Sequence, residues 1–403
     1  MKTNIIALSL VAGTAASVIF YPELRDVMAA VPLKPAIPYV APDTPLMTQR
    51  PKVEVVFVLD TTGSMGGLIQ AAKEKIWSIA TTMASAQPAP EIRMGLIAYR
   101  DRGDAYVTKV IDLSSDLDSV YAALMEFQAN GGGDGPESVN LALRESIEKI
   151  HWSQDGQIYK TVFLVGDAPP HHYPDEMQTP QILQNAAQRG IVINTVQCGQ
   201  QPETQQTWQQ IANLGKGEYF QVDQAGSAVA IATPYDKQLA ELSEKLDKTR
   251  LYYGNDEVKA EKQRKQAATD KLHADASIES RARRAAFNVS ASGKKNLIGE
   301  NELVDDVASG RVELDKIEQT ALPAPMQTMS REQQAVLVKE TAQERQKLKK
   351  QIADLADRRD AYLTQKVEEA GGAKGSLDQK IHSAVREQAS KRGLRYEADS
   401  VKY

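Results

Sequence analysis

Val53-Glu54-Val55-Val56-Phe57-Val58-Leu59, followed at once by Asp60-Thr61-Thr62-Gly63-Ser64-Met65, carries the strongest structural signal in the chain. Its apolar run is broken only by Glu54 and contains no Gly or Pro. A half-buried strand would alternate polar and apolar residues. A continuous β-branched run instead predicts a strand covered on both faces, as in the middle of a parallel sheet. The run ends in an acid and hydroxyls. In open α/β sheets the carboxyl ends of the strands border the ligand crevice, so Asp60, Thr62 and Ser64 are expected there rather than in the core. Three oxygen-bearing side chains at alternate positions form a tripod. Hard cations such as Mg²⁺ take oxygen ligands in an octahedron and keep several waters, which such a tripod suits.

Working outward, Gly66 to Met83 has helical spacing through Ile69, Ala72, Ile76, Ile79 and Ala80. Trp77 lies in that pattern as a core residue. Ile92–Tyr99 and Ala105–Ile111 read as strands, and the short polar connection Arg100–Asp104 predicts that they pair as a hairpin. Helices are expected over Asp118–Phe127, Ser138–Ile150, Gln178–Arg189 (ended by Gly190) and Thr204–Leu214. Further strands are expected over Thr161–Val165, Ile191–Gln197 and Glu218–Val222, with Cys198 buried and inert after the second of these. Alternating strands and helices imply an α/β, Rossmann-like, doubly wound and mostly parallel sheet with one antiparallel edge strand.

Two more clusters bear on the crevice. Gly131-Gly132-Gly133-Asp134-Gly135-Pro136-Glu137 precedes a helix; its glycines permit close approach, and Pro136 suits a first helical turn. Strand Thr161–Val165 runs into Gly166-Asp167-Ala168-Pro169-Pro170. Acids thus follow two parallel strands and occupy an intervening loop, so they can converge.

Taken together, these motifs resemble the von Willebrand factor A (integrin I-like) domain with its metal-ion-dependent adhesion site. That family's pattern is Asp-x-Ser-x-Ser after the first strand, a Thr in a middle loop and an Asp after a later strand. Asp60, Thr62 and Ser64 match the first element, with Thr for the first Ser, and Asp167 matches the last. The middle Thr is absent; Asp134 and Glu137 stand in its loop. Tyr99-Arg100-Asp101, the glycine loop with Pro136-Glu137, and Asp167-Ala168-Pro169-Pro170-His171 resemble a bacterial and alpha-kinase-associated branch. The resemblance implies metal ligation by Asp60, Thr62, Ser64, Asp134, Glu137 and Asp167. It implies Mg²⁺, with Ca²⁺ or Mn²⁺ as alternatives, and adhesion rather than turnover. No catalytic residue is expected. The expected partner is a protein with an exposed Asp or Glu that completes the metal shell.

Other readings compete at single residues. Asp60-x-Thr-Gly-Ser also resembles the first motif of haloacid-dehalogenase-type phosphotransferases, with Asp60 as nucleophile. Those enzymes want a general acid two residues on, where Thr62 stands, and a further acid soon after Asp167. His171 and His172 could ligate a metal or act as bases, but an oxygen-rich site suits a harder metal, and packing on Tyr173 is the preferred reading. Tyr99 and Arg100 could touch a ligand, or Arg100 could pair with Asp101 or Asp104.

The flanks set the context. Residues 1–30 read as a signal peptide or membrane anchor, because Lys2 precedes an uncharged run from Asn4 to Tyr21. If uncleaved, that run would attach the chain to a membrane and leave the remainder extracytoplasmic, in the periplasm or cell envelope. Residues 31–52 carry six prolines and read as a semi-rigid linker. Residues 53–233 are the expected A-type domain and 234–403 a helical, partly coiled-coil region. In that region Leu239, Leu242, Leu246 and Tyr253 recur at heptad spacing. Lys259 to Ala286 is charged and helix-prone, with Arg281–Arg284 as a solvated face. Leu322-Pro323-Ala324-Pro325 reads as a linker. Ser330 caps a helix with Gln333 three residues on, and Leu377–Lys391 is a last helix. These helices could self-associate or fold back on one another, and a structural coiled-coil scaffold is the second functional reading. A net charge of −5 argues against nucleic acid as a partner, and the single cysteine excludes an internal disulfide.

Overall fold

The computed structural model describes residues 50–133, 135–222, 231–369 and 377–396. The expected export segment, most of the proline-rich linker and Asp134 lie outside the described residues. Strand β1 (Lys52–Asp60) is the inner strand of a six-stranded sheet. The others are β2 (Glu91–Tyr99), β3 (Thr108–Ser114), β4 (Tyr159–Gly166), β5 (Ile191–Cys198) and β6 (Lys216–Val222), in the order β3-β2-β1-β4-β5-β6. All neighbours are parallel except β2 and β3, the edge hairpin. The edge strand starts three residues later than its apolar pattern predicts, because Arg100–Val107 forms a longer connection, closed by Arg100 N–H on Val107 O at 3.0 Å.

The apolar run of β1 serves two cores by simple alternation. Val53, Val55, Phe57 and Leu59 face one layer, with α1 (Gly66–Ala84) and α2 (Leu117–Met125). Val56 and Val58 face the other, with α3 (Val139–Glu148), α4 (Thr179–Gln188) and α5 (Pro202–Leu214). Trp77 is buried in the first layer against Tyr121 and Phe287. Cys198 is buried and unpaired with any other cysteine.

The remaining helices are α6 (Asp236–Asp247), α7 (Asp256–Asp275), α8 (Ile278–Val289), α9 (Lys294–Ile298), α10 (Leu303–Ala308), α11 (Arg331–Glu369) and α12 (Leu377–Ser390). Three of them dock directly on the first layer, while α6 and α11 pack on α8 and on each other, and α10 on α11. Helix α8 packs on α1, α7 on α2, and α12 on α1 and β6. Gln388 of α12 reaches the sheet: its Oε1 accepts from Tyr159 Oη at 2.7 Å, and its Nε2 donates to Asn194 Oδ1 at 2.8 Å.

Four expectations are corrected here. Tyr253 lies beyond α6, so the heptad does not extend to it; Leu239, Leu242 and Leu246 bury against Ala282, Ala285, Leu348 and Ile352 of the same chain. Leu322 is fully buried with Met326 and Val338, so the expected linker is packed core. Arg283 and Arg284 are buried, not solvated. Pro136 precedes α3 rather than sitting in its first turn. The Ser330 cap is formed as expected: Gln333 N–H donates to Ser330 Oγ at 3.3 Å and Ser330 N–H to Gln333 Oε1 at 2.9 Å. Among the described residues no helix is long and apolar enough to cross a membrane.

Candidate metal centre

Asp60 is the last residue of β1 and fully buried. Its Oδ1 accepts two hydrogen bonds from Thr62, from the backbone N–H at 2.8 Å and from Oγ1 at 2.7 Å. Thr62 Oγ1 lies 3.4 Å from Ser64 Oγ. The residue between Asp60 and Thr62 points elsewhere: Thr61 Oγ1 donates to Tyr99 O at 2.9 Å and lies 2.7 Å from Tyr106 Oη. The alternation read from the sequence therefore separates an anchor, Thr61, from the row Asp60, Thr62 and Ser64.

The middle loop is tied down over this row. Asn130 N–H donates to Thr61 O, and Gly63 N–H to Gly131 O, both at 3.1 Å. Gly131 and Gly132 have φ of 77° and 78°, a region that favours glycine. A Cβ on Gly132 would lie 3.2 Å from Thr62 Cβ and 3.5 Å from Glu137 Oε1, so the bare backbone can cover both. Asp104 clamps the loop by accepting from Gly132 N–H at 3.2 Å. Glu137 is held by its backbone: its N–H donates to Pro169 O at 3.1 Å, and its carbonyl accepts from His171 N–H at 2.7 Å. This places Glu137 beside the loop after β4, which carries the half-buried Asp167.

Arg100 pairs with neither Asp101 nor Asp104. Its Nε donates to Thr61 O at 3.0 Å and its Nη2 to Gln128 O at 2.9 Å, so it braces both loops from beneath. Tyr99 is fully buried and donates to Val165 O at 3.3 Å, which puts it behind the site. Asp101 accepts from Ser138 Oγ and Tyr173 Oη, each at 2.7 Å. His171 stacks on Tyr173 with ring centroids 4.1 Å apart, as the packing reading expected.

Thr62, Ser64, Gly131, Gly132, Glu137, Asp167 and Gln201 line a cleft of about 320 Å³. Gln201 and the clamp Asp104 were not among the sequence candidates; neither lies in a recognisable motif. Asp60 does not line the cleft but lies behind Thr62. Two buried carboxylate oxygens, Asp60 Oδ2 and Glu137 Oε2, have no hydrogen-bond partner among the described residues. Beside the first, residue 166 is glycine; a Cβ there would sit 3.2 Å from Asp60 Oδ2 and collide with Tyr99 Oη. Burial, with the Asp167 charge adding, pushes Asp60 up to about 7 against the pull of the Thr62 hydrogen bonds. Burial and the charges of Asp60, Asp101, Asp104 and Asp167 push Glu137 up to about 9. Unpaired buried carboxylates are costly, and a cation offsets that cost. Among the described residues no three His, Cys, Asp or Glu side chains gather as metal ligands. The oxygen donors here are mixed hydroxyls and carboxylates, which fit a hard divalent ion.

Residues 54–234 match the family model described as von Willebrand factor A domain. The chain is 38% identical over 125 residues to von Willebrand factor A domain-containing protein 7 of Rattus norvegicus, covering 31% of this chain and 13% of that protein. It is 28% identical over 120 residues to alpha-protein kinase vwkA of Dictyostelium discoideum, covering 30% of this chain and 19% of that one. The chain thus spans less than a fifth of the length of these curated relatives. Among solved structures, the SpRpn10 VWA domain aligns with TM-score 0.34 and 10% identity over 45% of this chain and 95% of its own. The family match coincides with the six-stranded sheet and its crevice, and residues 54–234 of this chain are a von Willebrand factor A domain.

Proposed function

We propose that this chain is a divalent-cation-dependent protein-binding protein, whose crevice holds Mg²⁺ and presents it to an acidic group of a partner. The observation that carries this reading is the pair of buried, unpartnered carboxylate oxygens on Asp60 and Glu137 beside an oxygen-lined cleft. Thr62 and Ser64 would hold the ion through their hydroxyls, with Asp60, Glu137 and Asp167 supplying negative charge. Asp134 belongs to the same proposed set through its place in the glycine loop. The ion supplies a positive centre with exchangeable waters, which a carboxylate from outside can replace. The acids of the middle loop retain the ion more firmly than a Thr would, and lower its pull on an acidic partner. The setting is extracytoplasmic, on the strength of the N-terminal charge pattern.

A binding role is preferred to turnover. As a phosphotransferase nucleophile Asp60 would have to face the cleft, whereas it is fully buried and its Oδ1 is engaged by Thr62. Calorimetric titration with Mg²⁺, paired with capture of envelope proteins with and without EDTA, tests the proposal. Saturable Mg²⁺ binding and EDTA-sensitive capture are expected for the native chain, and loss of both for Asp60→Ala. Capture indifferent to EDTA and to the substitution would overturn the adhesion mechanism. Hydrolysis of a generic phosphomonoester that is abolished by Asp60→Asn would favour the enzyme reading.

A further inference from the structure

The opposite end of the sheet, at the amino ends of β4 and β5, holds a second polar pocket that the metal centre does not use. It has a volume of about 550 Å³ and is lined by His151, Gln154, Lys160, Arg189 and Arg392 among others. That volume is in the range of small-molecule sites, roughly 300–1,000 Å³, and exceeds what a bare ion needs.

Lys160, the second residue of β4, is the unusual member. It is only 5% exposed, yet its ammonium makes no hydrogen bond or ion pair among the described residues. Its neighbour across the sheet, Glu54, is already engaged, by Arg93 Nη1 at 2.6 Å and by Ser153 N–H and Oγ at 3.0 and 2.6 Å. Two helices, α3 and α4, have their C-termini at this end of the sheet, and their carbonyls would repel an anion. Those carbonyls are met: Arg189 Nη1 donates to Ile147 O at 2.5 Å, and Arg189 and Gly190 N–H groups close the end of α4. Arg392 Nη1 donates to Gly156 O at 2.6 Å. Each guanidinium keeps further N–H groups beyond these bonds. The lining carboxylate is Glu148, 3.7 Å from Arg144. Three cations therefore border the pocket against one lining acid, Glu148, with the charges of Glu54 and Asp155 also reaching Lys160.

We propose that this pocket binds a small phosphate-bearing molecule, with Lys160 and Arg392 as its principal contacts and Arg189 assisting. The stem of Lys160 is buried while its ammonium opens on the pocket without a hydrogen-bond partner among the described residues, and an oxyanion there would supply acceptors and charge. Burial lowers the Lys160 pKa against the pull of the Glu54 and Asp155 charges, with Arg392 adding to the lowering, and a bound dianion would raise it. Arg392 follows α12, so a ligand held by it and by Lys160 of β4 would fasten the C-terminal helix to the sheet.

The test uses the full chain in EDTA, titrated calorimetrically with inorganic phosphate at constant ionic strength, with citrate as a second arm. Saturable phosphate binding is expected, weakened about tenfold or more by Lys160→Met and by Arg392→Gln separately, the loss of one charge-assisted contact. Asp60→Ala should leave it unchanged, which separates this site from the metal centre. In phosphate-free buffer Lys160→Met should melt no lower than the native chain, because an apolar group replaces an unpartnered charge. No saturable phosphate binding, or binding insensitive to both variants, overturns the proposal. Citrate binding tighter than phosphate with the same variant sensitivity overturns the phosphate assignment in favour of a polycarboxylate. A lower melting temperature for Lys160→Met, with phosphate affinity retained in Arg392→Gln, overturns it in favour of a structural role with Glu54.

Discussion

The space beside Asp60 exists because residue 166 has no side chain. A Cβ there would press on Asp60 and collide with Tyr99 Oη, both fully buried and unable to yield freely. Gly166→Ala should therefore destabilise the chain by about 1–3 kcal/mol, as overpacking in a dense core does. It should also weaken Mg²⁺ binding, because Asp60 must shift; chemical denaturation and Mg²⁺ titration of the same preparation would check both. Equal stability would mean that Tyr99 moves aside without cost. Asp60→Asn separates charge from shape at the same place. Without cation it should match or exceed the native melting temperature at pH 8, since the buried negative charge is gone. The rise in melting temperature on adding Mg²⁺ should be lost. Thermal scans with and without Mg²⁺ would refute this if the variant still responded.

Elements are held together here by buried ion pairs as much as by apolar faces. Arg284 of α8 is fully buried. Its Nε and Nη2 donate to Asp118 of α2 at 2.7 and 2.5 Å, and its Nη1 to Asp247 of α6 at 2.7 Å. His273 of α7 reaches Asp247 at 2.7 Å, so four helices meet at one charge cluster. Arg345 with Glu302, and Arg359 with Asp236, tie α11 to its neighbours in the same way. Breaking such a pair strands a buried charge, so Arg284→Met should cost about 3–5 kcal/mol, read from urea unfolding. A cost under about 1 kcal/mol, the value of a surface pair, would show the cluster to be dispensable. This cluster was not legible in the sequence. Strand β1 was legible because burial on both faces leaves a local signature, a run without polar alternation. The row Asp60, Thr62, Ser64 was legible because its spacing is local too. Arg281–Arg284 looks the same whether solvated or buried, because its partner Asp118 lies 166 residues away. Leu322-Pro323-Ala324-Pro325 misled for a related reason: prolines predict a break in helix but say nothing about whether Leu322 finds a core.

At the scale of the whole molecule, the two sets of buried acids pull stability in opposite directions with pH. Asp118 is held far below the ordinary carboxylate range, and Asp247 also below it, by Arg284 and its neighbours against the effect of burial. Their contribution is complete above the unfolded carboxylate value and drains away as pH falls below about 4. Asp60 and Glu137 are shifted the other way, up to about 7 and about 9. In the cation-free chain the folded state holds those protons after the unfolded chain has released its own. Stability therefore declines as pH rises from about 4 towards 7 for Asp60, by about 4 kcal/mol for a shift of some three units, and on towards 9 for Glu137. A bound cation stabilises the ionised forms and removes that decline, and it adds about 2.7 kcal/mol at a hundredfold excess over its dissociation constant. The expected profile in EDTA is a maximum near pH 4–5 with loss on both sides. Saturating Mg²⁺ should lift the alkaline side and leave the acid side unchanged. Melting temperatures from pH 3 to 9 with and without Mg²⁺ would decide the matter: a Mg²⁺ effect that does not grow with pH would mean that the ion displaces no protons from these carboxylates.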